Sequence, residues 1–193
     1  MKNYFKISIV LATIALVCAA ILAGLNMLTS PVIAKNDADK KAETIKSIYT
    51  DYDAASSEAI TAGLASGITE KIIAKSSDGT VLGTLYTVTG KNAYGVITLM
   101  VAIATNNTVH QVEFLENGQS FASTVKSHVK TNYNSSKEEV FELNPYSNKA
   151  EVNIADLTGD EIDNIDVKCG ATYGATLVKQ LVNLALSDAK GGK

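Results

Sequence analysis

Apolar residues fall into three patterns along the chain: one unbroken run, several alternating stretches and a final helical stripe. The unbroken run is Ile7–Leu28, which has 22 residues and no charge. As a helix it would span roughly 33 Å, enough to cross a bilayer core of about 30 Å. A secretory signal has a shorter apolar region, of about 7–15 residues. The run therefore predicts an uncleaved transmembrane helix over residues 7–28.

The charges around this span predict its orientation. Lys2 and Lys6 precede it, and the positive-inside rule keeps such residues in the cytoplasm. The lysines that follow the span are interspersed with aspartates. We therefore expect residues 1–6 to be cytoplasmic and residues 35–193 to form a domain outside the cytoplasm of a bacterial cell.

Four segments of the exported part have the residue pattern of strands. They are Ile68–Ser76, Thr80–Gly90, Tyr94–Ala104 and Thr108–Glu116. Asp78-Gly79 predicts a hairpin turn between the first two, and Asn106-Asn107 tolerates the same left-handed geometry between the last two. The small residues over 54–67 predict a loop.

Helical spacing predicts three further helices. They cover residues 36–52, residues 119–133 and a C-terminal segment with an apolar stripe of Val178, Leu181, Val182 and Ala185. The polar stretch 132–153 predicts loops around a short strand. The fold class is therefore α+β, an antiparallel sheet with packed helices, preceded by one transmembrane helix.

Composition excludes several classes of function. A net charge of −3 argues against a nucleic-acid-binding protein, which needs a basic face. Cys169 is the only cysteine beyond the apolar span, so the exported part has no disulfide of its own. There is no cluster of Cys and His, and the acidic stretch 155–167 lacks the spacing of a calcium loop. We expect no metal site and no catalytic acid, base or nucleophile.

A small-residue turn before the last helix allows two interpretations. The segment "DVKCGATYGATLVKQLV" runs from Asp166 to Val182. Thr172 could simply cap the helix, worth about 1 kcal/mol, with Gly170 in a left-handed conformation. Alternatively, the free amides and the dipole of the helix N-terminus could hold a phosphate. No P-loop or dinucleotide-binding fingerprint accompanies the turn.

The same segment resembles the flavinylation motif of the FMN-binding domain family. That family includes the G subunit of the Rnf complex and the C subunit of the sodium-pumping NADH:quinone reductase. Its pattern is Asp, two variable residues, Ser or Thr, then Gly-Ala-Thr. Asp166, Gly170, Ala171 and Thr172 match, whereas Cys169 replaces the usual Ser or Thr. The resemblance implies a covalent FMN, joined to Thr172 by a phosphoester bond that a separate magnesium-dependent flavin transferase makes.

Other parts of the chain also resemble this family. Tyr94 and Gly95 match its "GYGG" strand pair. Gln119 and Ser120 stand where its Glu-Thr loop is expected, and Ala122 replaces a glycine. The resemblance implies that Tyr94, Gln119 and Ser120 lie near Thr172 and contact the flavin. The second "GAT", which ends at Thr176, lacks an aspartate six residues earlier and is expected to be ordinary helix.

The function implied by the resemblance is electron transfer. The chain would be the flavin-carrying subunit of an Rnf-type ion-translocating ferredoxin:NAD oxidoreductase complex, with other membrane subunits as partners. Two alternatives remain open. One is an extracytoplasmic flavoprotein of another electron-transfer pathway, and the other is a non-redox anchored binding domain in which Thr172 is only a cap.

Overall fold

The computed structural model describes residues 2–133 and 169–191 of the chain, with side chains from residue 6. The helices are α1 (Lys2–Ile48), α2 (Ala122–Asn132) and α3 (Thr172–Ala189), and the strands are β1 (Glu58–Ile60), β2 (Ile68–Lys75), β3 (Val81–Asn92), β4 (Gly95–Ile103) and β5 (Val109–Asn117). Asp166, the polar stretch over 134–153 and the acidic stretch over 155–167 lie outside the described residues. The chain divides into two compact units, residues 1–42 and 43–193.

The first unit is helical and highly apolar. The apolar segment of α1 has a mean hydropathy of 2.6 and is not buried. It is the one helix in the described part of the chain that is long and apolar enough to cross a membrane. The hydroxyls of Thr13 and Thr29 donate to backbone carbonyls four residues earlier, both at 2.9 Å. These bonds give both hydroxyls an acceptor within the helix, which the hydrocarbon of a bilayer could not provide.

The second unit contains a five-stranded antiparallel sheet in the order β1-β2-β3-β4-β5. Each strand pairs with the next along the chain, so short turns connect all the long strands. Both predicted turns are present: Gly79 has φ +84° and Asn107 has φ +63°. At the first turn, hydrogen bonds from the Ser76 hydroxyl and the Thr80 amide hold the pKa of Asp78 down to about 2. The α+β class is confirmed.

The sheet buries side chains on both faces. The face against α2 and α3 carries Tyr86, Val88, Ile97, Leu99, Val101, Ile103, Val109 and Val112. The opposite face carries Ile72, Ala74, Leu85, Met100 and Ala102, which pack with Ile45 and Ile48 from the end of α1. Strand β4 lies at the centre of this double core, which explains why its sequence is almost continuously apolar.

Three predicted boundaries were wrong. Residues 58–60 are a strand rather than loop, because they pair with Lys71–Ile73 at the edge of the sheet. Helix α1 ends at Ile48 rather than at residue 52. Helix α2 begins at Ala122 rather than at Gln119, because the Gln119 side chain is buried and donates a hydrogen bond to the Gly95 carbonyl at the start of β4.

Tyr49 follows α1 and provides a test of the packing beneath it. Its ring stacks on His110 with centroids 5.4 Å apart, while its buried hydroxyl has no hydrogen-bond partner among the described residues. Burial raises the pKa of Tyr49 from 10.0 to about 12. The folded protein therefore holds this proton to higher pH than the unfolded chain does. Its contribution is complete below pH 10 and is lost as pH rises to about 12.

We expect Tyr49→Phe to raise the free energy of unfolding by about 1 kcal/mol at neutral pH, since it removes an unpaired buried hydroxyl. The variant should also lose less stability than the wild type between pH 10 and 12. Urea unfolding of the full chain in detergent measures both effects. Tyr52→Phe is the control, since Tyr52 packs in the same cluster and its hydroxyl is not among the buried unpaired atoms. If the wild type and Tyr49→Phe lost equal stability between pH 10 and 12, the raised pKa would not belong to Tyr49.

Gly174 tests the packing of α3 on α2. An alanine Cβ there would lie 2.5 Å from Cγ2 of the fully buried Val125. Overpacking costs about 1–3 kcal/mol, more than the ~1 kcal/mol that alanine gains in a helix. Gly174→Ala should therefore destabilise the protein, whereas Ser187→Ala, exposed on the same helix, should change stability by less than about 0.5 kcal/mol. A stabilised Gly174→Ala variant in urea unfolding would show that the two helices do not approach this closely.

Candidate functional site

A cleft of about 210 Å³ opens where three segments of the second unit meet. These segments are the start of α3, the turn between β3 and β4, and the loop between β5 and α2. The lining residues are Tyr94, Gln119, Ser120, Phe121, Val125, Gly170, Ala171, Thr172, Tyr173 and Gly174. The fold thus brings Tyr94, Gln119 and Ser120 to the same cleft as Thr172, although they are far apart in the sequence.

The start of α3 differs from the capped helix that composition alone allows. The helix begins at Thr172, and its N-cap residue is Ala171, with φ −129° and no side-chain cap hydrogen bond. The capping role considered for Thr172 is therefore wrong, because a cap precedes the first helical residue. Gly170 does adopt the expected left-handed conformation, at φ +79°. Thr172 is exposed and lines the cleft.

The backbone at this helix end can receive an anion. The first bond of α3 runs from the Ala175 amide to the Ala171 carbonyl at 3.0 Å, so the amides of residues 172–174 have no acceptor within the helix. The first turn contains no acidic residue, and none of the residues that line the cleft is charged. The positive end of the helix dipole therefore faces the cleft without a neighbouring carboxylate among the described residues.

Asn92 and Gln119 join the walls of the cleft. The Gln119 side-chain amide donates to the Gly95 carbonyl at 2.8 Å and to Asn92 Oδ1 at 3.1 Å. Asn92 Oδ1 also accepts the Tyr94 amide at 2.9 Å, while Asn92 Nδ2 donates to the Tyr173 carbonyl at 3.1 Å. One asparagine thus links the β3–β4 turn, the β5–α2 loop and α3. The sequence did not predict this bridging role of Asn92. Its position two residues before Tyr94 was the only indication that it lies near the cleft.

Glycines allow the β3–β4 turn to approach the β5–α2 loop. Gly95 has φ +140°, and a Cβ there would collide with the Gly118 carbonyl oxygen. The Gly118 amide in turn donates to the Val96 carbonyl at 2.8 Å. The backbones of the β3–β4 turn and the β5–α2 loop are therefore so close that only glycine fits at position 95. This contact places Gln119 at the cleft.

Three exposed aromatic side chains line the cleft. Tyr94, Phe121 and Tyr173 are 46%, 62% and 67% exposed. The rings of Tyr94 and Tyr173 are in contact, with centroids 5.2 Å apart and planes tilted by 33°. Sequence reasoning identified Tyr94 but not Phe121 or Tyr173, because an exposed aromatic residue cannot be distinguished from a buried one by sequence position alone.

The remaining motif residues are placed differently. Cys169 is 5% exposed and packs in the core with the sheet, α2 and α3, and it does not line the cleft. Its thiol thus fills space beneath the turn. Ala171 is also buried in this core, although it contributes to the cleft wall. Asp166 lies outside the described residues, so its place relative to Thr172 stays a prediction.

The comparison with protein families concerns the other end of the chain. Residues 1–48 match the family model of the RnfG N-terminal region, which covers about a quarter of the sequence. No curated protein matches the chain. The match includes the apolar span and the rest of α1 and leaves out the cleft. The N-terminal region of this chain is therefore similar to that of RnfG subunits.

Proposed function

We propose that this chain is a membrane-anchored electron-transfer subunit that carries FMN covalently on Thr172 and works with other membrane subunits of an Rnf-type complex. The single observation that carries the proposal is the placement of Thr172. Its hydroxyl is exposed at the uncapped start of α3, in a cleft that also contains Tyr94, Gln119 and Ser120.

Two independent signals support the proposal, since they lie in different parts of the chain. The match to the RnfG N-terminal region covers residues 1–48. The resemblance to the flavinylation motif rests on residues 166–172, well beyond that match. A chance similarity at one end of the chain would not generate the other.

The residues of the cleft fit an FMN group. The amides of residues 172–174 can hydrogen-bond to phosphate oxygens. None of the described residues that line the cleft is acidic, so none of them would repel the phosphate. Tyr94, Phe121 and Tyr173 offer flat apolar surface to a planar ring system. Gln119 and Ser120 offer polar atoms at the edge of the cleft. FMN supplies the redox chemistry when bound, while the protein positions it.

The position of Thr172 also explains why one of the two threonines would be modified. Thr176 lies one turn further along α3, is half-buried and does not line the cleft. Of the two threonines, only Thr172 lines the cleft, at the helix end whose amides can bind a phosphate. An unaided threonine hydroxyl is a poor nucleophile, so we expect attachment to require the magnesium-dependent flavin transferase.

The two other functions are distinguished by partners and by flavin content. A flavoprotein of another pathway would carry the same modification but would not copurify with Rnf-type membrane subunits. A non-redox binding domain would carry no flavin. The structure weakens this second alternative, because Thr172 does not perform the capping role on which it relied.

We expect the protein purified from its native host to carry one FMN, adding the mass of FMN less one water. Thr172→Val should abolish this adduct and the fluorescent band in a denaturing gel. The fold should survive, since Thr172 is exposed and makes no cap hydrogen bond. Intact-mass measurement and in-gel fluorescence are the readouts.

Thr176→Val is the matched control for that experiment and should retain the flavin. A fluorescent Thr172→Val protein beside a non-fluorescent Thr176→Val protein would show that the wrong threonine is assigned. A native protein without flavin would overturn the electron-transfer function altogether.

The topology of the anchor gives another expected outcome. Because Lys2 and Lys6 precede the span, residues 35–193 should lie outside the cytoplasm. Protease added to intact spheroplasts should therefore digest this part of the chain. Protection in spheroplasts combined with digestion in inverted vesicles would reverse the orientation.

A further inference from the structure

Tyr173 has an environment that neither helix formation nor core packing requires. It is the second residue of α3, its side chain is 67% exposed, and it faces the cleft directly after Thr172. If Tyr173 were buried, apolar packing would explain it. If it were an ordinary surface residue, we would expect its ring to contact no other aromatic ring. Here the ring instead contacts that of Tyr94, from a distant part of the sequence, at 5.2 Å.

Asn92 fixes the backbone on both sides of this ring pair. Its Oδ1 accepts the Tyr94 amide at 2.9 Å, and its Nδ2 donates to the Tyr173 carbonyl at 3.1 Å. The same Oδ1 accepts the side-chain amide of buried Gln119. An asparagine side chain has this combination of donor and acceptor, which neither aspartate nor alanine can supply. Asn92 therefore sets the distance between the two tyrosines.

We propose that Tyr173, backed by Tyr94 and positioned by Asn92, is the stacking surface for the isoalloxazine ring of the flavin. This inference rests on the proposed attachment of FMN to Thr172. Tyr94 and Tyr173 remain 46% and 67% exposed despite their contact, and both line the cleft, so the pair leaves aromatic surface uncovered there. In the proposed adduct the phosphate would join Thr172 to the flexible ribityl chain, which would let the flavin ring turn onto the neighbouring residue. An offset aromatic contact then removes apolar surface from water on both partners.

Phe121 is the competing surface, and the geometry favours the tyrosine pair. Phe121 is 62% exposed and precedes α2, and it makes no ring contact within the described part of the chain. Its ring can rotate and would have to lose that freedom when the flavin binds. The backbones of Tyr94 and Tyr173 are already held by Asn92. The tyrosine pair thus offers a surface that is ordered in advance.

The experiment uses the full flavinylated chain in detergent and compares flavin emission and visible circular dichroism before and after denaturation. An electron-rich tyrosine ring in contact with flavin quenches its emission, so the native wild-type protein should emit less than the denatured one. Tyr173→Ala should raise native emission toward the denatured level and weaken the flavin dichroism. Tyr173→Phe should keep the dichroism, because a ring is still present, while raising emission.

Asn92→Ala tests the positioning role. It should weaken the flavin dichroism while Tyr94 and Tyr173 are both still present. Lys91→Ala is its matched control, since Lys91 is the exposed neighbour on the same strand, and this variant should keep the wild-type spectra. Intact mass is measured for every variant and shows separately whether FMN is attached.

The outcomes separate the two proposals. Attached FMN with wild-type spectra in Tyr173→Ala would overturn the stacking surface while leaving the attachment at Thr172 intact. The same conclusion follows if Phe121→Ala, rather than Tyr173→Ala, abolishes the flavin dichroism. A wild-type protein with no FMN by mass would overturn both the stacking surface and the proposed function.

Discussion

The buried side-chain amide of Gln119 holds together the segments that form the cleft. A buried amide without partners would cost about 1–3 kcal/mol, and here it is satisfied by the Gly95 carbonyl and by Asn92. Asn92 extends the same network to the start of α3. The β3–β4 turn, the β5–α2 loop and α3 are therefore fixed relative to one another by two neutral side chains. The placement of Tyr94, Ser120 and Tyr173 around Thr172 depends on this network.

The network lies beside a well-packed core. Strand β4 packs on both faces, against α2 and α3 on one side and against the end of α1 on the other. The β3–β4 turn connects the two central strands that carry most of this core. Gly174 lets α3 approach Val125 on α2, which fixes the start of α3 beside the loop that carries Gln119. The cleft is thus formed at a junction of elements that are each packed in the core.

Two residues differ from the pattern of the FMN-binding domain family that the sequence resembles, and the contacts of each explain the difference. Gln119 replaces an expected glutamate, and its amide donates two hydrogen bonds that a carboxylate could not donate. Cys169 replaces an expected hydroxyl residue and packs in an apolar core, where a thiol is well accommodated. Both substitutions suit the contacts that these side chains make in this fold. The proposed binding of FMN would then rest on backbone amides, aromatic surface and Thr172.

The sequence by itself determined the elements with strong local signals. The 22-residue apolar run, the alternating strands, the turns at Gly79 and Asn107 and the striped α3 follow from local hydrophobic periodicity and backbone preference. Only the tertiary structure decided that β1 pairs at the sheet edge and that Thr172 is a helical residue rather than a cap. It also decided that Tyr173 lines the cleft and that Asn92 links the segments around it. These features depend on contacts between residues that are distant in the sequence. A local pattern of apolar and polar residues does not predict which distant segment a side chain will contact.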